Sequence, residues 1–295
     1  DKILDNLIDL KIDGTFMLNQ KYFNYATGLT MTNDKFDLLF GSKRRQPETD
    51  KITQFHMDIA ASIQHVTEKI MLMLTRSLRD EYKISNLCLA GGVALNCVAN
   101  GKILEEKIFE NIWVQPAAGD AGGSLGAALA FWHIDLGNKR KNIEKDDMQG
   151  SYLGNEYSNE EIKSKFDEIG AIYENLNEEE IIERTIQDLV SGKAIGWFQG
   201  RMEFGPRALG NRSIIGDPRS ELMQKNLNIK VKFRESFRPF APSVLKEDVS
   251  DWFEMNIDSP YMLFVAKVKK EKIIEMNEKQ KKLFGIDLLN IKRSE

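Results

Sequence analysis

The chain has 295 residues, with 41 Lys and Arg against 45 Asp and Glu, so its formal net charge is −4. The composition is 42% hydrophobic and 29% charged, which excludes collagen-like and low-complexity chains and argues against general disorder. No apolar run approaches the roughly 18 residues that a membrane-spanning helix needs, so we expect neither a membrane protein nor a membrane partner. The length predicts two domains, and the slightly negative charge argues against a general nucleic-acid binder.

The cysteines and the chain ends predict the cellular context. Cys88 and Cys97 do not make a disulfide framework, so we expect a reducing, cytoplasmic location and two buried, unreactive thiols. The start at Asp1 shows no basic and apolar secretory signal. Because the chain begins without Met and stops soon after a charged stretch at 268–282, we expect it to be an excised piece of a longer protein.

The first half of the chain alternates strand-like and helix-like segments. The elements predicted from apolar spacing are helices over 3–10, 52–82, 93–107 and 124–132 and strands over 86–90 and 111–116. The helix over 52–82 is long and amphipathic, and each strand is followed by a glycine-rich turn and a helix. This rhythm is typical of an α/β domain with parallel strands.

The second half follows a stretch, 137–160, that is rich in Gly, Asn, Lys and Asp and poor in apolar side chains. We place a domain boundary there, near Gly150, which divides the chain into 1–149 and 150–295. Beyond the boundary the pattern predicts helices over 160–169, 178–191 and 221–230, strands over 171–173, 194–198 and 261–268, and a long loop over 199–219.

Two glycine-rich turns, Gly91-Gly92 and 119–123, follow the predicted strands of the first half. Glycines let a backbone approach a ligand closely, and free amides at the start of a helix favour phosphate. One such turn is as well explained by tight packing, but two on consecutive strands favour a nucleotide site. Asp120 could bind a metal or a substrate hydroxyl, or could cap the next helix, and Asn96 could reach a ligand or be an ordinary polar helix residue.

The window 201–238 is basic within an acidic chain, with nine Lys and Arg against four Asp and Glu. Six of the nine bases are arginines, whose planar fork suits bidentate binding of phosphate or carboxylate. The interspersed phenylalanines leave an RNA surface as one alternative, and the four acids leave an ion-pair network as another. We favour a loop that binds a small polyphosphate.

These segments resemble one enzyme family. The chain resembles the O-carbamoyltransferases of the NodU/CmcH/TobZ type over most of its length and in the family's order. The matching runs are 52–64, Leu89-Ala90-Gly91-Gly92-Val93-Ala94-Leu95-Asn96, 119–128, Phe204-Gly205-Pro206-Arg207-Ala208-Leu209-Gly210-Asn211-Arg212-Ser213 and Phe237-Arg238-Pro239-Phe240-Ala241-Pro242. The last two runs are the most specific.

The resemblance implies an α/β fold built from two units. The first, 1–149, would be the later half of an actin/sugar-kinase-like (ASKHA) domain, and the second, 150–295, a YrdC-like domain with a twisted mixed sheet, truncated at its end. The YrdC-like unit would convert carbamoyl phosphate and ATP, with Mg, into carbamoyl-adenylate. The actin-like unit, holding iron(II) or another divalent metal, would pass the carbamoyl group to a hydroxyl of a small-molecule acceptor.

Site residues carry over by position in the matching runs. Asp120 would be a metal ligand. The nucleotide would be held by glycines and neighbouring polar residues, namely Gly91, Gly92, Val93, Asn96, Gly122, Gly123, Asn211 and Ser213. Carbamoyl phosphate and the ATP phosphates would be held by the cationic side chains of Arg201, Arg207, Arg212, Lys232, Arg234 and Arg238.

The chain departs from the family pattern at its metal-binding histidines. The family's HxxxH motif is absent, because His56 and His65 lie nine residues apart, so the resemblance implies an upstream half before Asp1 and an incomplete transferase site. Two other functions stay open: a tRNA-modifying carbamoyl-transfer protein, and an inactive nucleotide-binding piece that needs the missing half. Nucleic acid is not the expected partner, and the oligomeric state is left open, a dimer included.

Overall fold

The computed structural model describes residues 1–140 and 146–291, and over these ranges the chain is a mixed α/β protein. The helices are Lys2–Asn6 (α1), Asp34–Phe40 (α2), Gln54–Tyr82 (α3), Cys97–Glu105 (α4), Gly122–Ala130 (α5), Asn159–Glu168 (α6), Glu178–Val190 (α7), Met223–Asn226 (α8) and Val249–Trp252 (α9). The strands are Ile8–Leu10 (β1), Phe16–Leu18 (β2), Asn86–Leu89 (β3), Asn111–Val114 (β4), Ile195–Phe198 (β5) and Arg212–Ile215 (β6).

The described strands pair into three two-stranded sheets, β1 with β2, β3 with β4 and β5 with β6. The first and third pairs are antiparallel. Between β3 and β4 the direction follows from two hydrogen bonds: Glu110 N–H donates to the Ser85 carbonyl at 2.9 Å, and Gln115 N–H donates to the Leu89 carbonyl at 3.0 Å. Because the residue numbers of the donors and of the acceptors increase in the same direction, these strands run parallel, as the alternation of strands and helices in the sequence predicts.

The long amphipathic helix is confirmed as α3, Gln54–Tyr82. It begins where the Thr53 N–H donates to Nδ1 of His56 at 3.0 Å and ends at Lys83, whose φ is 56°. Helices α6 and α7 are also close to their predicted limits, because Ser158 with Glu161 and Asn177 with Glu180 form capping boxes at their first turns. Among the described helices none, α3 included, is both long and apolar enough to cross a membrane.

Three predictions fail where pairing partners or turns decide the local structure. The helix predicted over 3–10 ends at Asn6, because 8–10 pair with β2 instead. The loop predicted over 199–219 contains β6, which is paired with β5. The helix predicted over 93–107 is a 3₁₀ turn at Gly92–Leu95 followed by α4 from Cys97, because the chain bends at Asn96.

Other strand and helix predictions fail for lack of a partner strand or through distortion. The segment 171–173 is not a strand, and Ile172 in it is fully exposed. The strand predicted over 261–268 is reduced to an isolated bridge between Phe253 and Val268. The helix predicted over 221–230 is the short α8 continued by a π-helical turn at Leu227–Val231.

The prediction of buried thiols is wrong. Cys88 is exposed and Cys97 is half-buried, and both are free. In β3 the side chain of Leu87 is buried while that of Cys88 points to the opposite, open face. A two-stranded sheet leaves one face uncovered, which the apolar run alone does not show.

Contact density divides the chain into two compact units. Unit 1 is Asp1–Leu87, Val98–Trp113 and Leu283–Leu288; unit 2 is Cys88–Cys97, Val114–Lys282 and Leu289–Glu295, of which 141–145 and 292–295 lie outside the described residues. The domain limits predicted from the sequence, 1–149 and 150–295, refer to family domains and stay a prediction. All the predicted site residues lie in unit 2.

Unit 1 has its own apolar core at the start of the chain. The core consists of Ile3, Leu7, Ile8, Tyr22 and Ile70. Partly buried side chains of α2 and α3, such as Phe36 and Val66, pack against this core. The first short helix and sheet are therefore anchored on α3 by apolar packing.

We expect Leu7→Ala to lower the free energy of unfolding by about 2–5 kcal/mol, because it removes a buried side chain and leaves a cavity. Leu7 is 2% exposed, whereas Leu29 is fully exposed and provides the matched control. Leu29→Ala should change the free energy by less than about 0.5 kcal/mol. Urea unfolding followed by circular dichroism measures both, and equal effects would contradict this placement of the core.

Candidate functional site

The segment after β5 folds around a buried carboxylate. We call residues 203–212 the Glu203 loop, because Oε1 of Glu203 accepts hydrogen bonds from the backbone N–H groups of Leu209 (2.8 Å), Asn211 (2.9 Å) and Arg212 (3.2 Å). Glu203 is 8% exposed. Burial by itself raises the pKa of this carboxyl group, but the backbone hydrogen bonds outweigh that effect and the pKa lies below its ordinary value. The carboxylate is therefore ionised at neutral pH and closes the loop.

Side chains and glycines hold the Glu203 loop at its edges. The Asn211 amide donates to the carbonyl of Arg201 at 2.8 Å, and the Ser213 hydroxyl accepts from the N–H of Gly210 at 3.0 Å. Gly205 has a φ of 128°, and a Cβ there would lie 3.2 Å from the carbonyl oxygen of Pro116. The loop therefore packs closely on the residues that follow β4, and a side chain at 205 would be strained.

Arg207, near the tip of the loop, reaches the first glycine turn. Its Nη2 donates to the carbonyl of Leu95 at 3.0 Å. Its Nε is buried and finds no acceptor within the described parts of the chain. A buried N–H without an acceptor is unfavourable by about 1–3 kcal/mol, so this donor is suited to an anion that enters the site.

The two glycine turns converge with the Glu203 loop in unit 2. Gly91 has a φ of 96° and, like Gly92, faces open space. A Cβ at Gly119 would touch the Leu95 side chain at 3.4 Å, so Leu95 is a neighbour of the second turn as well as of Arg207. The structure thus brings together the two turns that the sequence pairs and one of the predicted arginines.

Asn96 and the first residues of α5 occupy different positions from those predicted. Asn96 ends the 3₁₀ turn and precedes α4, so it does not lie one turn inside a helix. Helix α5 starts at Gly122, where a Cβ would collide with the Ala117 carbonyl. No side chain caps this helix, so Asp120 is not its cap. In the first turn of α5 the Gly123 N–H donates to the Asp120 carbonyl at 2.6 Å.

Asp120 is the candidate metal ligand, and it is exposed. No group of three or more His, Cys, Asp or Glu side chains that could hold a metal occurs over 1–140 and 146–291. The described residues therefore do not provide a complete ligand set for a metal, and we derive no reaction step through a metal.

Two further arginines of the predicted set hold backbone around β5. Arg212 donates from Nη1 and Nη2 to the carbonyls of Gln199 (2.6 Å) and Gly200 (3.0 Å), and its guanidinium lies 3.4 Å from the centre of the Phe198 ring. Arg201 donates to the carbonyl of Gly154 at 3.1 Å and lies along an open groove of about 710 Å³. Arg212 is thus largely occupied by the protein, whereas Arg201 is exposed and its Nε lies 3.5 Å from the Glu156 carboxylate.

The other predicted cations belong to a separate segment, 227–240. Nε of Arg234 donates to the buried Asn228 side chain at 2.6 Å, and Nε of Arg238 donates to Glu235 at 2.8 Å. Lys232 is exposed. In the ranges that the structure describes, no hydrogen bond or ion pair joins these three cations to the Glu203 loop, and their part in a common phosphate site stays a prediction.

Comparisons with known proteins identify the class. The family model described as "Carbamoyltransferase N-terminus" matches residues 1–129, and the one described as "Carbamoyltransferase C-terminus" matches residues 186–283. Together the two matches span most of the chain and include both glycine turns, the Glu203 loop and the 227–240 segment. The chain belongs to the carbamoyltransferase family.

Individual relatives refine this assignment. The uncharacterized protein sll1178 of Synechocystis sp. is 59% identical over all of this chain and 48% of that protein. The nodulation protein NolO of Bradyrhizobium diazoefficiens is 44% identical over 75% of this chain and 40% of that protein, and the nodulation protein U of Sinorhizobium fredii is 30% identical over 72% and 36%. Within the family, the chain is of the NodU type of O-carbamoyltransferase, and it spans about half or less of the length of these curated relatives.

One arginine of the basic window is held by a carboxylate. Nη2 of Arg219 lies 2.7 Å from the Asp217 carboxylate, and this side-chain bond, with the Arg219 backbone N–H, lowers the pKa of Asp217 to about 2. We expect Arg219→Ala to raise the pKa of Asp217 part of the way to its ordinary 3.8, since the backbone donor remains. Carboxyl ¹³C NMR titration measures the change. An unchanged titration would show that the Arg219 guanidinium is not bound to Asp217.

Proposed function

We propose that this chain is the carbamoyl-activating portion, with part of the transfer portion, of an ATP-dependent O-carbamoyltransferase. In the proposed reaction, carbamoyl phosphate releases its phosphate to water and a carbamate oxygen attacks the α-phosphorus of ATP, so that pyrophosphate leaves and carbamoyl-adenylate forms. The oxygen of an acceptor hydroxyl then attacks the carbamoyl carbon, the hydroxyl proton is lost and AMP leaves. Joining carbamate to AMP supplies a better leaving group than carbamate alone possesses.

One observation carries the proposal beyond family membership: the buried Nε of Arg207 has no acceptor within the described residues. This donor lies beside the Gly91-Gly92 turn, since the same guanidinium donates to Leu95. A guanidinium with a buried, unpaired Nε next to glycines that leave the backbone open is suited to a phosphate oxygen. Catalysis of phosphoryl chemistry consists chiefly of positioning and charge neutralisation, which this arrangement can supply.

The nucleotide is proposed to lie along the glycine turns. Gly91, Gly92, Val93 and Asn96 would contact the adenylate, and Gly122 and Gly123 would present the uncapped first turn of α5. The exposed Lys232 and Arg201 would approach the phosphates of ATP, which binds together with Mg. Arg212, Asn211 and Ser213 would act by holding backbone groups, as their hydrogen bonds indicate. Arg234 and Arg238 would act by holding the side chains of Asn228 and Glu235.

The fold units and the remaining partners are also part of the proposal. Residues 1–149 would belong to an actin/sugar-kinase-like domain and 150–295 to a YrdC-like domain. Asp120 would contribute one ligand to iron(II) or another divalent metal, with the other ligands supplied from outside this chain. The acceptor would be a small hydroxylated molecule.

We expect this chain to catalyse exchange of labelled pyrophosphate into ATP only when carbamoyl phosphate is added, because carbamoyl-adenylate formation is reversible. Transfer to hydroxylated acceptors should be weak or absent without the rest of the metal site. ATP binding without exchange would favour an inactive nucleotide-binding piece, and steeply salt-dependent tRNA binding would favour a tRNA-modifying protein. Absence of both exchange and ATP binding would contradict the proposal.

We expect Arg207→Ala to weaken ATP binding by about 1.5–3 kcal/mol, the size of a charge-assisted hydrogen bond, as measured by calorimetry. Arg207→Lys keeps the charge but loses the fork and should recover only part of the affinity. Arg219→Ala is the matched control, because the Asp217 carboxylate already holds that guanidinium. Equal ATP affinities for Arg207→Ala and the control would remove Arg207 from the site.

A further inference from the structure

Glu203 stands out because a negative charge is buried beside a proposed anion site. Its carboxylate oxygen accepts three backbone N–H groups of its own loop, from Leu209, Asn211 and Arg212. An anion so close to bound phosphates would repel them, which is unfavourable for binding unless the carboxylate provides a compensating effect. The effect that the geometry offers is control of the loop that carries Arg207.

We infer that Glu203 is a positioning residue that holds the Arg207 guanidinium in its phosphate-binding orientation. This inference rests on the proposed function. Glu203 does not touch the ligand. It acts by fixing the backbone on the C-terminal side of Arg207. The Nη2 of Arg207 then donates to the Leu95 carbonyl, and its Nε is left for the anion.

The hydrogen bonds of the loop support this role. From Phe204, whose N–H donates to the Ser151 carbonyl at 2.6 Å, the chain runs out to Arg207 and returns to the amides that Glu203 binds. Gly205 and Gly210, with φ values of 128° and 110°, provide the two bends. Without the carboxylate, three N–H groups would lose their acceptor in a largely buried place, and the returning strand of the loop would move to reach water.

The side chain of arginine makes such control valuable. A free arginine has many rotamers, and fixing it in one of them costs conformational entropy. A loop whose backbone is already fixed removes part of that cost before the ligand arrives, which raises the affinity without a new contact. Glu203 thus offsets its own repulsion of the ligand by ordering a cation that attracts it.

A role in overall stability alone is less well supported by the contacts. The packing of the loop on the rest of unit 2 is made by other groups: Gly205 lies against Pro116 and Ala117, and the Tyr152 hydroxyl donates to the Leu209 carbonyl at 2.7 Å. The hydrogen bonds that the Glu203 carboxylate accepts from Leu209, Asn211 and Arg212 stay within the loop. Its loss should therefore change the shape of the loop more than the stability of the unit.

Two substitutions and a control test the inference in this chain. Glu203→Gln keeps the size of the side chain and one oxygen acceptor but removes the charge, and Glu203→Ala removes the acceptor. Glu221→Gln is the control, because Glu221 is exposed in the same basic window. Each is made with Arg207 present and with Arg207→Ala, ATP affinity is measured by calorimetry, and circular dichroism establishes that the compared variants are folded.

We expect Glu203→Ala to weaken ATP binding by about tenfold or more, which is the effect of losing a charge-assisted hydrogen bond, and Glu203→Gln by less. Glu221→Gln should leave it unchanged. In the Arg207→Ala background the Glu203 substitutions should have almost no further effect, since the group that Glu203 orients is gone. Amide hydrogen exchange at 209–212 should speed up in both Glu203 variants and stay slow in Arg207→Ala.

The outcomes separate this inference from the proposed function. If Arg207→Ala abolishes ATP binding while folded Glu203→Gln and Glu203→Ala bind normally, the positioning role is wrong and the proposed function stands. Effects of Glu203→Ala that simply add to those of Arg207→Ala would also overturn it. If Glu203→Ala does not fold, the ATP affinities of Glu203→Gln, with Arg207 present and with Arg207→Ala, decide whether the positioning role holds. If the unaltered chain binds no ATP, the proposed function fails, and this role fails with it.

Discussion

A carboxylate that is taken out of water must be compensated by hydrogen bonds or by an opposite charge, and in this protein the buried Glu203 is compensated by backbone. Three N–H groups of the same loop meet one of its oxygens, which keeps the pKa of the group low despite its burial. In the parts of the chain that the structure describes, no arginine side chain is bonded to this carboxylate. The local shape of 203–212, and through it the place of Arg207, depends on this one compensation.

The cations of the basic window differ in what they can still bind. Arg219 and Arg238 are paired with carboxylates, Arg212 is bound to carbonyls and stacked on a ring, and Arg234 is bound to a buried amide. Arg207 keeps a buried donor with no acceptor among the described residues. Some side chains of this positive stretch therefore hold the protein's own groups, whereas Arg207 keeps a buried donor that suits an anion. Net charge alone does not make this distinction.

Local physics explains which elements could be predicted. Helices α3, α6 and α7 have amphipathic or capped sequences whose signals lie within one turn, so their limits are visible along the chain. The glycine turns are recognisable for a similar reason. The positive φ at Gly91 is a property of that residue's own backbone, and glycine adopts it without strain. Short strands fail more often. Strand β6 forms because β5 pairs with it. The segment 261–268 forms only an isolated bridge, between Val268 and Phe253, in the described residues.

The sequence by itself determined the family, the long helix, the two glycine turns and the arginine-rich window, since each rests on residues close together in the chain. Only the tertiary structure decided that Leu95 meets both Arg207 and the turn at Gly119, that Asp120 caps no helix, and that Glu203 closes the loop. Such contacts join residues up to 112 positions apart, and hydrogen bonds over that separation depend on how the backbone is packed. The types of the two residues that form such a hydrogen bond do not by themselves predict it.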